Sequence, residues 1–385
     1  MRTIRELRVR LHSSNKFQEK YNIEPDDKIH ILYVSPTFNA TGYYRMIAPA
    51  LEINKTDTHK AIITGIENND FSRKLSDFVS VLDEQLIAWS DYIIFPALFS
   101  DVSYLLQAIK TLNSQVQLVM DVDRNYFALP VSVPLSRKQT QEKLNSFETN
   151  LGLMDLVTVA NVSFQNFLQK LIADRLPKSN VLLQYLPSLV SKFDYEEMPP
   201  LKRNTTEKLR IGFIKPTEED LLSLKEVLVK MRATFKDNIQ FVCLGKPHSS
   251  KEGDLLLKEV DCEIHNSVSF SDYLEKLNSL TLDIVLLPAK EGLYNRHQNI
   301  QSFLELSAFG IPVIASIHHP VSKLIVDGET GFVAGEVPEW VDIISAILNQ
   351  DVEYRSRLSS FIVKSVWKSH SYSQANMEYL LDIFI

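Results

Sequence analysis

Residues able to do chemistry gather in a few short stretches of this chain. Glu305 lies in a helix-period segment, 304–309, that ends at Gly310 and runs into Ile311-Pro312 and the β-branched pair Val313-Ile314. Gly310 falls where a helix stops and the backbone needs φ > 0. Pro312 falls at a strand start, where its missing N–H costs nothing. A carboxylate on a helix whose start faces the carboxyl edge of a parallel sheet is placed to accept hydrogen bonds from sugar or ribose hydroxyls; the competing reading is a surface glutamate that favours its helix. Asn295, Arg296 and His297 precede a helix expected over 298–309. The free amides of that helix start, with Arg296, suit a pyrophosphate or a sugar, against the plainer account of a solvated loop. Lys215, just past the run LRIGFI, offers a point charge to a phosphate.

A second group lies earlier. Gly42 lets backbone come near a ligand, and Tyr43, Tyr44 and Arg45 follow it. The tyrosines suit stacking on a sugar face or packing in a core, and Arg45 suits phosphates or an anionic acceptor. Asp121 and Asp123 close a strand-like run, where paired carboxylates suit acceptor binding or a general base, with helix capping the alternative for Asp123. Asp-x-Asp alone is a weak metal signal, and no metal site is expected. The loop DGETGFV, 327–333, reads as a glycine-dependent turn.

The elements that must hold these residues alternate. Strand-like apolar runs are KIHILYVS (28–35), AIITGI (61–66), DYIIFPA (91–97), QLVMDV (117–122), DLVTVA (155–160) and NVLLQYLP (180–187). After a polar linker at 194–208 come LRIGFI (209–214), IQFVCLG (239–245), CEIHNSV (262–268), DIVLLPA (283–289), PVIAS (312–316) and GFVAG (331–335). Helical periodicity falls between them, including 101–112, 162–173, 218–234, 270–279, 298–309 and 337–349. Strands alternating with helices predict parallel sheets with covered faces. The expected organisation is a helical extension at 1–27, α/β domains at 28–195 and 208–365 facing each other across a cleft, and a terminal helix at 366–385.

Bulk properties narrow the function. At 385 residues the chain exceeds one ordinary core, so two domains are expected. A net charge of −7 supplies no basic field for nucleic acid. No apolar run approaches the roughly 18 residues that span a bilayer, and residues 1–14 lack the uninterrupted apolar core of a secretory signal. Basic residues outnumber acidic ones over 1–20, with Ile4, Leu7 and Leu11 at helical spacing. That pattern suits a solvated amphipathic helix, or peripheral contact with a membrane surface. Two separated cysteines, Cys243 and Cys262, without metal spacing fit a reducing compartment, so a cytoplasmic location is expected. With 11 glycines in all, no Gly-rich phosphate cradle is present, and a nucleotide site must rely on helix starts and side chains.

Several of these stretches resemble GT-B glycosyltransferases, in particular the retaining bacterial family 4 (group 1) enzymes. SPTFNATGYYRMIAPALEI, DVDRNYFALP and DLVTVANVSFQNFLQK are similar to elements of their first domain. RIGFIKPTEEDLLSL and SLTLDIVLLPAKEGLYNRHQNIQSFLELSAFGIPVIAS are similar to their second. The final stretch, SVWKSHSYSQANMEYLLDIFI, resembles their terminal helix that crosses back to the first domain. The resemblance implies a GT-B α/β fold with two Rossmann-like domains. It implies retaining, metal-independent transfer from a UDP- or GDP-type sugar to a glycan, lipid-linked or protein acceptor, without a cofactor. It places Glu305, Asn295, Arg296, Lys215 and Thr217 at the donor, Gly42, Tyr43, Tyr44 and Arg45 on the acceptor side, and Asp121, Asp123 and His297 in catalysis. The departures are informative. Eight residues before Glu305, where these enzymes carry a second glutamate, stands His297, which suits a sugar hydroxyl instead. Gln298 takes the place of a lysine, and the Arg…Lys pair that grips the diphosphate is not evident. A non-catalytic GT-B scaffold or partner subunit is therefore the alternative reading, and a different GT-B reaction such as nucleotide-sugar epimerisation is a third.

Overall fold

The structure, a computed structural model, describes Ile23 and residues 26–65, 74–131, 133, 136–195, 208–246 and 251–385. The extension expected over 1–27 and the linker expected over 194–208 lie almost wholly outside them. The chain divides into two compact units. One comprises 1–128, 137–191 and 372–385, and the other 129–136 and 192–371.

Each of the twelve apolar runs forms a strand. In the first unit β1 (Ile29–Val34), β2 (His59–Thr64), β3 (Tyr92–Pro96), β4 (Gln117–Val122), β5 (Leu156–Val159) and β6 (Leu182–Tyr185) pair in the order β2-β1-β3-β4-β5-β6. In the second, β7 (Leu209–Ile214), β8 (Ile239–Leu244), β9 (Glu263–His265), β10 (Ile284–Leu287), β11 (Val313–Ser316) and β12 (Phe332–Ala334) pair in the order β12-β11-β10-β7-β8-β9. All pairings are parallel. Parallel strands buried on both faces need continuous apolar runs rather than alternation, which is why β-branched stretches such as 284–287 and 313–316 become their centres.

Among the described residues, the α-helices of the first unit longer than three residues are α1 (Ala48–Ile53), α2 (Leu75–Val79), α3 (Glu84–Trp89), α4 (Ser103–Leu112), α5 (Gln141–Gly152) and α6 (Val162–Arg175). In the second come α7 (Glu218–Ser223), α8 (Lys225–Phe235), α9 (Lys251–Glu259), α10 (Phe270–Ser279), α11 (Leu293–Arg296), α12 (Gln301–Ala308), α13 (Val337–Leu348) and α14 (Val352–Ser369). The last, α15 (Gln374–Leu381), returns to the first unit. Three helices differ from expectation, the terminal one expected over 366–385 beginning only at Gln374 after α14 has run to Ser369. The helix expected over 218–234 breaks at Leu224, where the Ser223 hydroxyl takes the Asp220 carbonyl at 2.6 Å, a local side-chain bond that competes with helix continuation. The helix expected from 298 starts at Gln301, because Asn299 Oδ1 accepts the Gln301 amide at 3.1 Å and turns the chain there.

Each sheet carries its own core. Ile31, Tyr33, Ile94 and Val119 pack with Leu380 and Phe384 in the first unit. Ile211, Phe213, Phe241, Ile284, Ile314 and Trp340 centre the second. Helix α12 packs on α14, and Gly310, at φ 70°, ends α12 where a Cβ would stand 2.3 Å from Ser359 Oγ.

Candidate functional site

Counted from its own first strand, the second sheet runs 6-5-4-1-2-3, the doubly wound order whose direction reverses between β7 and β10. Ligands of such sheets bind outside the carboxyl ends of the strands at that reversal. The loops after β7 and β10 meet there, and one buried carboxylate joins them. Asp220 Oδ1 accepts the Lys290 amide at 3.0 Å and Asn295 Nδ2 at 2.8 Å. Its Oδ2 accepts the Thr217 hydroxyl at 2.6 Å, and Thr217 Oγ1 in turn accepts the Asp220 amide to cap α7. Asn295 also donates to the Lys290 carbonyl at 2.8 Å and accepts from Gln298 Nε2. Thr217 and Asn295, expected at the donor, are thus committed to the frame that fixes the loops.

Glu305 is carried by α12 and is 3 % exposed. The Tyr273 hydroxyl, from α10, hydrogen-bonds to it; burial first, then the Glu305 charge, pushes the Tyr273 pKa well above the ordinary phenol value. Lys215 follows β7 at φ 44°, a left-handed conformation that a side-chain-bearing residue rarely adopts. Its Nζ lies 4.9 Å from the Tyr273 ring centroid, within cation–π range. Although Lys215 is exposed as a residue, loss of water around its ammonium lowers its pKa, and Glu305 partly offsets that. Gly245, at φ 74°, makes room for this arrangement: a Cβ there would stand 3.0 Å from Lys215 Cγ. Glu305, Tyr273 and Lys215 therefore form one charged and aromatic cluster beside the sheet reversal.

The expected phosphate amides are fewer than the sequence implied. The amides of Arg296, His297 and Gln298 bond to the carbonyls of Gly292, Leu293 and Asn295 within and after α11, and that of Gln301 to Asn299. Arg296 and Lys290 are exposed. His297 is 2 % exposed, and burial with the neighbouring Arg296 charge lowers its pKa to about 4. A neutral imidazole suits a hydroxyl partner and adds no positive charge for a diphosphate. His319, after β11, is buried, its pKa likewise lowered to about 4 by burial, and its Nδ1 accepts the Val321 amide at 3.2 Å.

In the first unit the order reverses between β1 and β3. The chain after β1 passes Asn39, whose Oδ1 accepts the Gly42 amide at 3.0 Å. A Cβ on Gly42 would meet the Thr37 carbonyl oxygen at 2.0 Å, so the glycine serves backbone-on-backbone packing. Residues Tyr43–Ile47 then form a π-helix. Tyr43, Tyr44 and Arg45, expected to face an acceptor, are 0 %, 3 % and 3 % exposed. The Arg45 guanidinium is bound to Asp121, with Nη2 to Oδ1 at 2.6 Å, and to the Leu186 carbonyl at 2.6 Å; Thr158 Oγ1 also donates to Asp121 at 2.6 Å. Asp121 is thus spent on a buried ion pair and is not placed to accept a substrate proton. Asp123 accepts from Thr41, Tyr126 and Arg124 at 2.9, 2.7 and 2.6 Å. Burial would raise its pKa, but the Arg124 charge and these bonds more than offset it and hold the carboxyl low. Both aspartates build the end of β4 rather than present a free base.

Sequence reasoning missed Asp220, Tyr273 and Lys290. Their partners lie far along the chain, as with the 70 residues between Asp220 and Lys290. Among the described residues, no group of three or more His, Cys, Asp or Glu side chains could hold a metal ion. None of the described helices is long and apolar enough to cross a membrane.

No family model matches the chain, and no curated protein matches it in sequence. Solved structures do match. Sucrose-phosphate synthase from Thermosynechococcus elongatus is similar over 93 % of this chain and 98 % of its own, at 12 % identity and a TM-score of 0.59. Anabaena HepE in complex with UDP and glucose is similar over 92 % of this chain and 98 % of its own, at 12 % identity and a TM-score of 0.56. A glycosyltransferase from Rickettsia africae covers 94 % and 98 %, at 14 % identity and a TM-score of 0.56. These likenesses show the fold: α/β, of the GT-B glycosyltransferase type, with two Rossmann-like domains.

Proposed function

We propose that this chain transfers a sugar from a nucleoside diphosphate sugar, as the retaining family 4 enzymes do, without a metal or other cofactor. The observation that carries this reading is Glu305, a buried carboxylate on α12, beside Lys215 and Tyr273 at the reversal of a doubly wound sheet. Its similarity to HepE, which was solved with UDP, supports a UDP-type donor, with GDP the alternative. In this reading Glu305 accepts from the ribose hydroxyls. Lys215 and the exposed Arg296 and Lys290 face the diphosphate, where leaving-group charge develops and fixed cations act most strongly. Neutral His297 contacts a hydroxyl of the transferred sugar. Thr217 and Asn295 hold the loops that present these groups. The acceptor is a glycan, a lipid-linked sugar or a protein, and the enzyme works in the cytoplasm or at the inner face of the membrane.

A second reading, a GT-B scaffold that has lost catalysis, is favoured by His297 in place of an acid and by the internal pairing of Asp121. Calorimetry with UDP, GDP, ADP, CMP and their common sugars tests both. The enzyme reading expects one diphosphate family to bind, and Glu305→Ala to weaken it at least ~10-fold, the loss of a charge-assisted bond pair, with the folded melt preserved. Binding without hydrolysis or transfer to any acceptor in a broad screen turns the reading to the scaffold. Absence of binding in a folded sample removes both the donor and the enzyme.

A further inference from the structure

Gln301 opens α12, one helical turn before Glu305. It is 6 % exposed, and among the described residues neither its Nε2 nor its Oε1 has a hydrogen-bond partner. Its neighbours differ. The Asn295 amide is bound to Asp220 and Lys290, Gln298 donates to Asn295, and Asn299 caps the Gln301 backbone amide. The Gln301 side chain is therefore not needed to cap α12 and takes no part in the loop frame. Leaving both ends of a primary amide buried and unbonded is costly, and an apolar side chain of similar size would avoid that cost.

Positions four apart share a helix face about 5–6 Å from one another, so Gln301 lies along the Glu305 stripe toward the helix start, at the carboxyl edge of the sheet. The chemistry of its amide selects the partner. It offers two donors on nitrogen and two lone pairs on oxygen. A phosphate oxygen accepts only, and would satisfy Nε2 while leaving Oε1 bare. A hydroxyl both donates and accepts, and a pair of neighbouring hydroxyls satisfies both ends at once.

We infer that Gln301 is a specificity residue that binds a hydroxyl pair of the nucleotide sugar, kept at the expense of stability. This rests on the proposed donor site. Two parts of the donor carry such a pair, the ribose and the transferred sugar, and the test separates them. Wild type, Gln301→Met and Gln301→Leu are compared by calorimetry against UDP, UDP-glucose, UDP-N-acetylglucosamine, GDP and GDP-mannose, and by thermal melting without ligand. The expected result is that both variants melt above wild type and bind the preferred nucleotide sugar at least ~10-fold more weakly, as a site built to bond hydroxyls does when the bond is lost. Equal losses for the diphosphate and its sugar assign the pair to the ribose. A loss confined to the nucleotide sugar assigns it to the transferred sugar. If wild type binds and both variants bind as well as it does, the inference fails while the donor site stands. If both variants melt lower and keep their affinity, Gln301 is structural and the inference fails again. If wild type binds none of the five, the donor reading itself fails and takes the inference with it.

Discussion

Arg45 and Asp121 are buried to 3 % and 5 % exposure and bound side-on, so neither charge is available to solvent. Removing one partner of such a pair strands the other, at about 3–5 kcal/mol. Asp121→Ala is therefore expected to cost that much in urea unfolding, and Arg45→Met combined with Asp121→Ala less than the single change. If Asp121 were a general base, its alanine variant would keep wild-type stability and lose turnover; that outcome would overturn the structural assignment. Two buried histidines among the described residues of the second unit give a pH signature. His297 and His319 have pKa values lowered from 6.5 to about 4. Between those values the unfolded chain binds more protons than the folded one, so stability is held near neutrality and lost as pH falls through that window. His319→Asn keeps an acceptor for the Val321 amide but cannot titrate. Its melting temperature should fall less steeply than wild type between pH 7 and pH 4.5, and parallel curves would refute the assignment.

Strands were legible because a buried parallel strand needs an unbroken apolar run, and such runs here are bounded by Pro, Gly or polar loops, as in Asp283-Ile284 and Gly310-Ile311-Pro312-Val313. Helix starts were less legible, because a short polar side chain can divert the backbone within a turn. Asn299 and Ser223 do so, and no period in the apolar pattern reports it. The placement of Glu305 and Lys215 near one another followed from strand order, whereas Asp220 holding Asn295 across 75 residues did not. Core packing was one of the two readings open for Tyr43 and Tyr44, but the burial of Arg45 beside them did not follow, since a π-helix turns successive side chains away from the 3.6-residue period. Gly42 is the element-scale test. Its missing Cβ would fall 2.0 Å from a backbone oxygen, which cannot rotate aside. Gly42→Ala is expected to lose at least about 2 kcal/mol, in the range of overpacked cores. Gly292, whose Cβ would meet nothing within 4 Å, is the control: Gly292→Ala should unfold within ~0.5 kcal/mol of wild type. Equal midpoints for the two variants would contradict the packing argument.

At the scale of the molecule, the chain closes the first unit with its last residues. After α14 ends at Ser369, residues 372–385 join the unit that holds β1 to β6. Phe384 is 1 % exposed in that core, edge-on to Tyr92 at 5.2 Å, and its carbonyl meets His59 Nε2 at 3.0 Å. Tyr92 donates to the Ile385 carbonyl at 2.8 Å, and Tyr379 to the Tyr185 carbonyl at 2.8 Å. The contacts tie β2, β3 and β6 to one short terminal segment, so the first unit cannot complete its core until the second has been traversed. Contacts so distant in sequence are slow to form, because a long loop must close before they contribute. Phe384→Ala should remove about 3–5 kcal/mol from the first unit while leaving the core around Phe213, Phe241 and Trp340 untouched. Hydrogen exchange followed by mass spectrometry reads this directly. Peptides from β1, β3 and β4 should exchange faster in the variant, and those from β7, β8 and β10 should hold their wild-type rates. Acceleration spread evenly over both sheets would mean that the two cores melt as one cooperative body.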